Sequence, residues 1–506
     1  MTTELVNFWR RILTNLRVTE QKTLTRQYRR NNICYLYICN PSLIQKLACK
    51  FAHYFEFDNW KETKNMTDSD SIFDPPEAVR GMKVLERSLF RKTISIPGVS
   101  VPQKNIGRLT KALKNEILRF RSIQPVVDLN AKDAHAKTHK LILFDPRKLQ
   151  SVDDFNEKQR DILEKFDVDV GSFCFYNFDM KYENWDHAEV VKAVLPKELD
   201  TVAGFAIVGH IAHLNLREGT DDYKYLIGQV ILDKHRIIRT VVNKLKTIDS
   251  EFRNFQMELL AGEEDYTATV KEHGCTFTFD FSKVYWNTKL GTEHNLVASQ
   301  MQEKDLVFDV FAGVGPFAVP CGKNGIKVFA NDLNPESYKS LKVNVAKNGS
   351  NCQNSVQCYN MDGRDFIKQI FLKEMEKRWN DPSDQKGDVH VLMNLPALAV
   401  EFLDSFVGLF THSGSRPKDH SCLPFVHCYY FSKSEDLEKD TRETVERVLN
   451  CTLEEFKIRQ VRNVAPGKEM MCIEFRIPES VLFREKLESE EDCPAAKKIC
   501  IHHSHE

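Results

Sequence analysis

The stretch from Asp305 to Glu336 constrains this chain more than any other. Leu306 to Val310 is a short apolar run that ends in a glycine-rich turn, Ala312-Gly313-Val314-Gly315-Pro316. A second apolar run, Ile326 to Ala330, leads to Asp332, nineteen positions after Gly313. A tight glycine turn after a buried strand lets a ligand approach the backbone. An acidic residue about 20 positions on, at the end of the next strand, can accept hydrogen bonds from ribose hydroxyls. The stretch therefore reads as a nucleoside-cofactor site on a doubly wound sheet, with Asp309, Phe311, Gly313, Gly315, Asp332 and Leu333 around it.

The dinucleotide fingerprint needs a third glycine for close helix packing, and Phe317-Ala318 stand there instead. A nicotinamide oxidoreductase is therefore disfavoured. S-adenosylmethionine has no pyrophosphate to be held, which points to a methyltransferase. From 305 onward apolar strands alternate with helices: Leu306–Val310, Lys327–Asn331, Ser355–Tyr359, Val389–Met393, Phe425–Phe431, Lys457–Val461 and Met471–Ile477. Seven strands with five helical crossovers and a closing hairpin fit an α/β fold, a class I methyltransferase Rossmann-like doubly wound sheet. Two smaller α+β domains, expected to bind RNA, precede it. Asp362-Gly363, after the third strand, is expected to meet the cofactor's adenine. Asn394-Leu395-Pro396-Ala397 follows the fourth strand, where amino-group methyltransferases carry a polar residue, two prolines and an aromatic. The missing aromatic makes an exocyclic amine a poorer target than a ring nitrogen.

The expected organisation is a basic segment 1–55, a linker 56–76, a small domain 77–150, an α+β domain 151–290, the cofactor domain 291–480 and a charged tail 481–506. Residues 1–55 hold nine Lys or Arg against Glu4 and Glu20, with Leu5, Phe8, Trp9, Ile12 and Leu16 on one helical face. This is the pattern of a mitochondrial transit segment, so the matrix is expected, with cytoplasmic and nuclear pools. A basic arm touching RNA is the alternative. The apolar stripe Ile106, Leu109, Leu113, Ile117 and Leu118 predicts a helix from Asn105 to Arg121, lined by basic residues that suit phosphates.

Net charge is −1, so any nucleic-acid surface must be local. The fourteen cysteines include no C-x-x-C pair, and His210 with His213 lack a third ligand in the sequence nearby. No metal site is expected, and the thiols read as reduced. No apolar run approaches the roughly 20 residues that span a bilayer. No membrane association is expected, and a monomer is.

Residues 77 to 480 resemble the eukaryotic and archaeal tRNA guanine-37 N1-methyltransferases, a family unrelated in fold to its knotted bacterial counterpart. The matching blocks are GHIAHLNLR (209–217), FRNFQMELLAGE (252–263), VYWNTKLGTEH (284–294), DVFAGVGPFA (309–318), ANDLNPE (330–336), NLPA (394–397) and RNVAPGKE (462–469). Thr288-Lys289 depart from the family's frequent Pro-Arg. The resemblance implies methyl transfer from S-adenosylmethionine to N1 of guanosine 37 in cytoplasmic and mitochondrial tRNAs, also the first step toward wybutosine in tRNA-Phe. It implies Glu293 as general base, Arg253 as the cation at O6 and Asn394 as holder of the base. Asp332, Leu333, Asp362, Gly363 and His294 match cofactor-contacting positions, and Asn394 is counted with them. Two rivals remain: an aminocarboxypropyl transferase of tRNA hypermodification with the same architecture, and a non-catalytic tRNA-binding protein. From spacing alone, Glu293 could equally cap the helix after it, and Arg253 could pair with Glu251 or Glu258.

Overall fold

The computed structural model describes residues 70–199, 204–216, 219–248, 255–381 and 387–485. Segment 1–55, Arg253 and the tail from residue 486 lie outside the described residues. From Ile72 onward the chain forms one unit, and everything below belongs to it.

The first sheet is antiparallel in the order β2-β3-β1-β4: β1 Lys92–Pro102, β2 Val126–Asp128, β3 His139–Leu143 and β4 Cys174–Met180. It draws strands from both sides of residue 150. Alternation along β1 sends Ile94 and Ile96 into one core and Val99 and Val101 into another, so both faces are covered.

The helix expected from Asn105 to Arg121 is shorter than its periodicity suggests. It runs only over Ile106–Ala112 (α1). Beyond Leu113 the backbone is captured by β3: Ile117 bridges Phe144, and the Leu118 amide donates to Leu143 O at 3.0 Å. The apolar stripe is still buried, but by a strand edge rather than a helix face. Arg121 leaves the expected basic row altogether and pairs with Asp186 and Glu189.

Two helices follow, α2 (Glu157–Lys165) and α3 (His187–Val194), each opened by a capping box, from Asn156 and Asp186. The second sheet has the order β5-β6-β7-β8: β5 Phe205–Val208, β6 Ile211–Leu214, β7 Thr240–Ile248 and β8 Phe255–Gly262. Helix α4 (Lys224–Lys234) joins the parallel pair β6 and β7. Gly228 lets it lie on β8, because a Cβ there would stand 2.7 Å from Leu260 Cβ. A hairpin, β9 (Thr267–Glu272) and β10 (Cys275–Asp280), turns on His273 and Gly274, both at positive φ. His210 and His213 have ordinary partners: His210 Nε2 lies 3.1 Å from Asp265 O, and the His213 ring packs 5.2 Å from Phe281. Burial, with Lys244 nearby, pushes His213 down to about 4.

The third sheet has seven strands in the order β13-β12-β11-β14-β15-β17-β16. These are β11 Leu306–Asp309, β12 Lys327–Asn331, β13 Val356–Tyr359, β14 Val389–Met393, β15 Phe425–Ser432, β16 Phe456–Ala465 and β17 Lys468–Arg476. Only β17 runs against its neighbours. Val307 and Val328 face a core shared with α5 (Gly291–Gln300), α6 (Ala318–Lys323) and α7 (Pro335–Lys347). Leu306 and Phe308 face the helical run 363–380 and α8 (Leu437–Leu449). Phe308 stacks on Phe329 of β12 with centroids 5.1 Å apart, and burying each ring is worth roughly 1.5–3 kcal/mol. This is the doubly wound, Rossmann-like architecture, with its topological switch between β11 and β14.

One buried amide ties the hairpin to this domain. Asn344 Oδ1 on α7 accepts from the Thr278 amide of β10 at 2.7 Å, while its Nδ2 donates to Val314 O at 2.9 Å. No helix among the described residues is long and apolar enough to cross a membrane.

Candidate active site

At the switch point the loop leaving β11 is pinned on both sides. The Val310 amide donates to Leu392 O of β14, and the Ala312 amide to Asn331 O of β12. The two glycines then serve different needs. Gly315 has φ +97°, and a Cβ there would stand 2.7 Å from Leu341 Cδ1 and 2.8 Å from Val319 Cγ2, so helix packing excludes a side chain. Gly313 has φ +55°, and a Cβ there would meet nothing within 4 Å; this is the open side of the turn. The Gly313 amide donates to Asp332 Oδ2 at 2.8 Å, and the Asn334 amide to Oδ1 at 2.9 Å. Burial nevertheless pushes Asp332 up to about 6, against those amides and Ser337.

Asp309, the last residue of β11, is fully buried, and neither carboxylate oxygen makes a hydrogen bond. Burial, then the charge of Asp332, pushes it up to about 8; the nearby Phe311 amide opposes this only weakly, since it does not reach hydrogen-bond geometry. A buried carboxylate without a partner costs several kcal/mol unless it is protonated or a cation arrives. Two carboxylates at one mouth fit a ligand with a cationic part, as S-adenosylmethionine has in its ammonium and sulfonium. They would repel a pyrophosphate.

The rim is built from the next two strands. Asn360 donates to the carbonyls of Asp332 and Leu333, leaving the Leu333 side chain about half exposed (48%). Asp362 caps the next helix through the Arg364 amide at 2.8 Å. Gly363 is where Phe311 comes close: a Cβ there would stand 2.9 Å from Phe311 Cε1 and 3.0 Å from Phe402. Asp309, Phe311, Gly313, Asp332, Leu333, Asp362 and Gly363 thus share the carboxyl ends of β11, β12 and β13. His294 is fixed by two partners. Its Nδ1 lies 2.7 Å from Glu272 Oε1, and its ring packs edge-on against Phe317, 4.9 Å away, behind the glycine turn.

On the other side of the switch, Asn394 follows β14 with its Oδ1 buried and unpartnered. Its loop is tied to β15 by the Phe431 amide, which donates to Pro396 O at 3.1 Å. Two residues earlier on β15, Tyr429 donates through its hydroxyl to Glu293 Oε1 at 2.5 Å. Glu293 stands in the first turn of α5 but makes no cap. Its carboxylate is instead gripped by Arg459 of β16, Nη1 on Oε2 and Nη2 on Oε1. Glu258, one partner considered for Arg253, is held by Lys224 at 2.7 Å and Tyr225 at 3.1 Å. The aromatic pair before α5 is divided: Tyr285 is exposed and Trp286 lies in the core. Lys289, in the turn that opens α5, is exposed.

Sequence reasoning missed Arg459 and Tyr429. A signal was present: Lys457 and Arg459 alternate on one face of an edge strand, opposite Glu474 and Cys472 of β17, with His427 and Tyr429 beyond. Charged residues repeating at period two beside a row of acids mark a cross-strand ion network, here largely buried at Arg459 and reaching solvent at Lys457.

Residues 268–451 match the TRM5/TYW2 methyltransferase domain, and residues 187–265 the TYW2 N-terminal domain. A tRNA (guanine(37)-N(1))-methyltransferase of Xenopus tropicalis is 47% identical over 429 residues, 85% of this chain and 85% of that protein. The Homo sapiens protein of the same name is 41% identical over 446 residues, 87% and 86% of the two chains. Among solved structures, Trm5b of Pyrococcus abyssi superposes with a TM-score of 0.52 at 23% identity, covering 75% of this chain and 98% of that one, which speaks to the fold. With a Rossmann-like sheet, a carboxylate-lined cofactor turn and relatives this similar along most of its length, the chain belongs to the tRNA (guanine(37)-N(1))-methyltransferase family.

Proposed function

We propose that this chain methylates N1 of guanosine 37 in tRNA. One observation carries the chemistry: Glu293, a carboxylate buried at the edge of the cofactor domain, is held by side chains of the same strand system that fixes Asn394. S-adenosylmethionine, when bound, supplies an electrophilic methyl group. The protein must do the rest. Guanine N1 carries a proton at neutral pH, and Glu293 accepts it as the new bond forms, a contribution of about 10²–10⁴ in rate. Arg253 stabilises the charge that builds on O6 as a cationic donor. Asn394, with its carbonyl oxygen unfilled, accepts a hydrogen bond from the base edge. Asp309 faces the cofactor's cationic part and Asp332 its ribose hydroxyls, with Leu333 and Asp362 at the adenine. Bringing the base out of the anticodon loop costs a few kcal/mol, offset by stacking and phosphate contacts.

The test is transfer from two preparations of cofactor, one labelled in the methyl group and one in the aminocarboxypropyl group, to a tRNA with guanosine or adenosine at position 37. Methyl label on the guanosine tRNA alone is expected. Equal labelling of both tRNAs, or transfer of the other group, would remove the assignment. We also propose that segment 1–55, basic and nearly free of acids, directs import into the mitochondrial matrix, with cytoplasmic and nuclear pools. A fluorescent protein fused behind residues 1–55 should co-localise with mitochondria; a diffuse signal would count against it.

A further inference from the structure

The grip on Glu293 is more specific than burial of an acid requires. Tyr429, Cys472 and Arg459 form one row across β15, β17 and β16, and His427, Glu474 and Lys457 form the next row on the same face. Arg459 bridges the rows, with both terminal nitrogens on Glu293 and Nε 3.3 Å from Glu474 Oε1. Behind it, His427 Nδ1 lies 3.3 Å from Glu474 Oε1, and His427 Nε2 lies 3.1 Å from His390 Nδ1. Burial would raise Glu474, but His427 and the charges of Arg459 and Lys457 outweigh it and hold it at about 2. Arg459 is therefore anchored between two carboxylates.

An ionised carboxylate offers about four lone-pair sites. Three of those on Glu293 are taken, by Arg459 Nη1, Arg459 Nη2 and the Tyr429 hydroxyl. We propose that Arg459 is the positioning residue of the base: it gives the buried Glu293 carboxylate its counter-charge and fixes its plane, so that one lone pair is left to accept a proton. The inference rests on Glu293 being that base. A guanidinium suits the task because it does not surrender its own proton. The Tyr429 phenol is likewise held in its protonated form, chiefly by burial. The other titratable groups around Glu293 are Cys472 on β17, Glu474 one row down, and the His294–Glu272 pair on its helix and on β9.

The experiment is the single-turnover methylation rate of the full chain on guanosine-37 tRNA from pH 6 to 9, for wild type, Arg459→Gln, Arg459→Lys and Glu293→Gln. Without the guanidinium, burial raises the proton affinity of Glu293. Arg459→Gln should then lose at least tenfold at pH 7, and its acid limb should move up by one pH unit or more, with cofactor KM within about twofold. Arg459→Lys should keep the wild-type limb at a lower plateau, since charge is retained but the fork is lost. Glu293→Gln reports how much of any alkaline gain comes from the guanine itself. A rate loss in Arg459→Gln that is constant across pH would overturn the proposal. Should Arg459→Gln fail to fold, a wild-type rate and profile in Arg459→Lys would overturn it equally. If Glu293→Gln turned over at the wild-type rate, the base assignment would fall instead, and Arg459 would hold a structural acid.

Discussion

Asp309 and Glu293 are both carboxylates almost wholly withdrawn from water, and the fold treats them in opposite ways. Asp309 ends a central strand with no hydrogen bond to either oxygen and is pushed up to about 8. Glu293, at the far side of the switch point, has a guanidinium and a phenol of the protein already on it. The first is a charge waiting for its counterion to come from outside. The second already has its counterion inside the protein, in Arg459. Environments that separate two like groups in this way suit them to separate roles, here the proposed ones of binding a cationic ligand and accepting a proton.

The sharpest way to break this contrast is to exchange the base. Glu293→Gln is expected to lower turnover by about 10²–10⁴ while leaving cofactor affinity nearly unchanged; an equal fall in cofactor affinity, measured by calorimetry, would merge the two sites. Asp309→Asn should do the reverse. Loss of a hydrogen bond to a charged group costs about 1.5–3 kcal/mol, so the cofactor Kd should rise roughly 10- to 100-fold. The ligand-free variant should also melt higher than wild type at pH 8, where the native carboxylate must either ionise in the interior or retain a proton that the unfolded chain has lost. The smallest effect is the pH slope of binding. A bound cation favours ionised Asp309, whose proton in the free enzyme is held to about 8. Affinity should therefore rise from pH 6 to 8 and level above it, by more in wild type than in Asp309→Asn. Identical slopes would show that Asp309 does not face the ligand's charge.

How far each half could be read from the sequence follows from where its partners lie. The cofactor turn is local: Gly313 and Asp332 are nineteen residues apart, and the central strands are unbroken apolar runs because both faces are covered. The expected bounds of Lys327–Asn331 and Val389–Met393 match the strands observed. The clamp on Glu293 is not local. Tyr429 is 136 residues away and Arg459 is 166, so spacing could not join them. Residues 105–121 misled for a related reason. Their apolar stripe suits a helix, but it does not say that β3 would take the second half as an edge. The role expected of Arg253 rests on resemblance alone, as no local pattern distinguishes it from an arginine in a structural ion pair.

The Asn344 amide sets one further limit on this enzyme. It is fully buried and holds β10 with its oxygen and the glycine turn with its nitrogen. From β10 the chain runs through the turns of residues 281–290 into the helix that carries Glu293. The span between Glu293 and the glycine turn is thus set in part by one amide inside the protein, with no ligand needed to hold it.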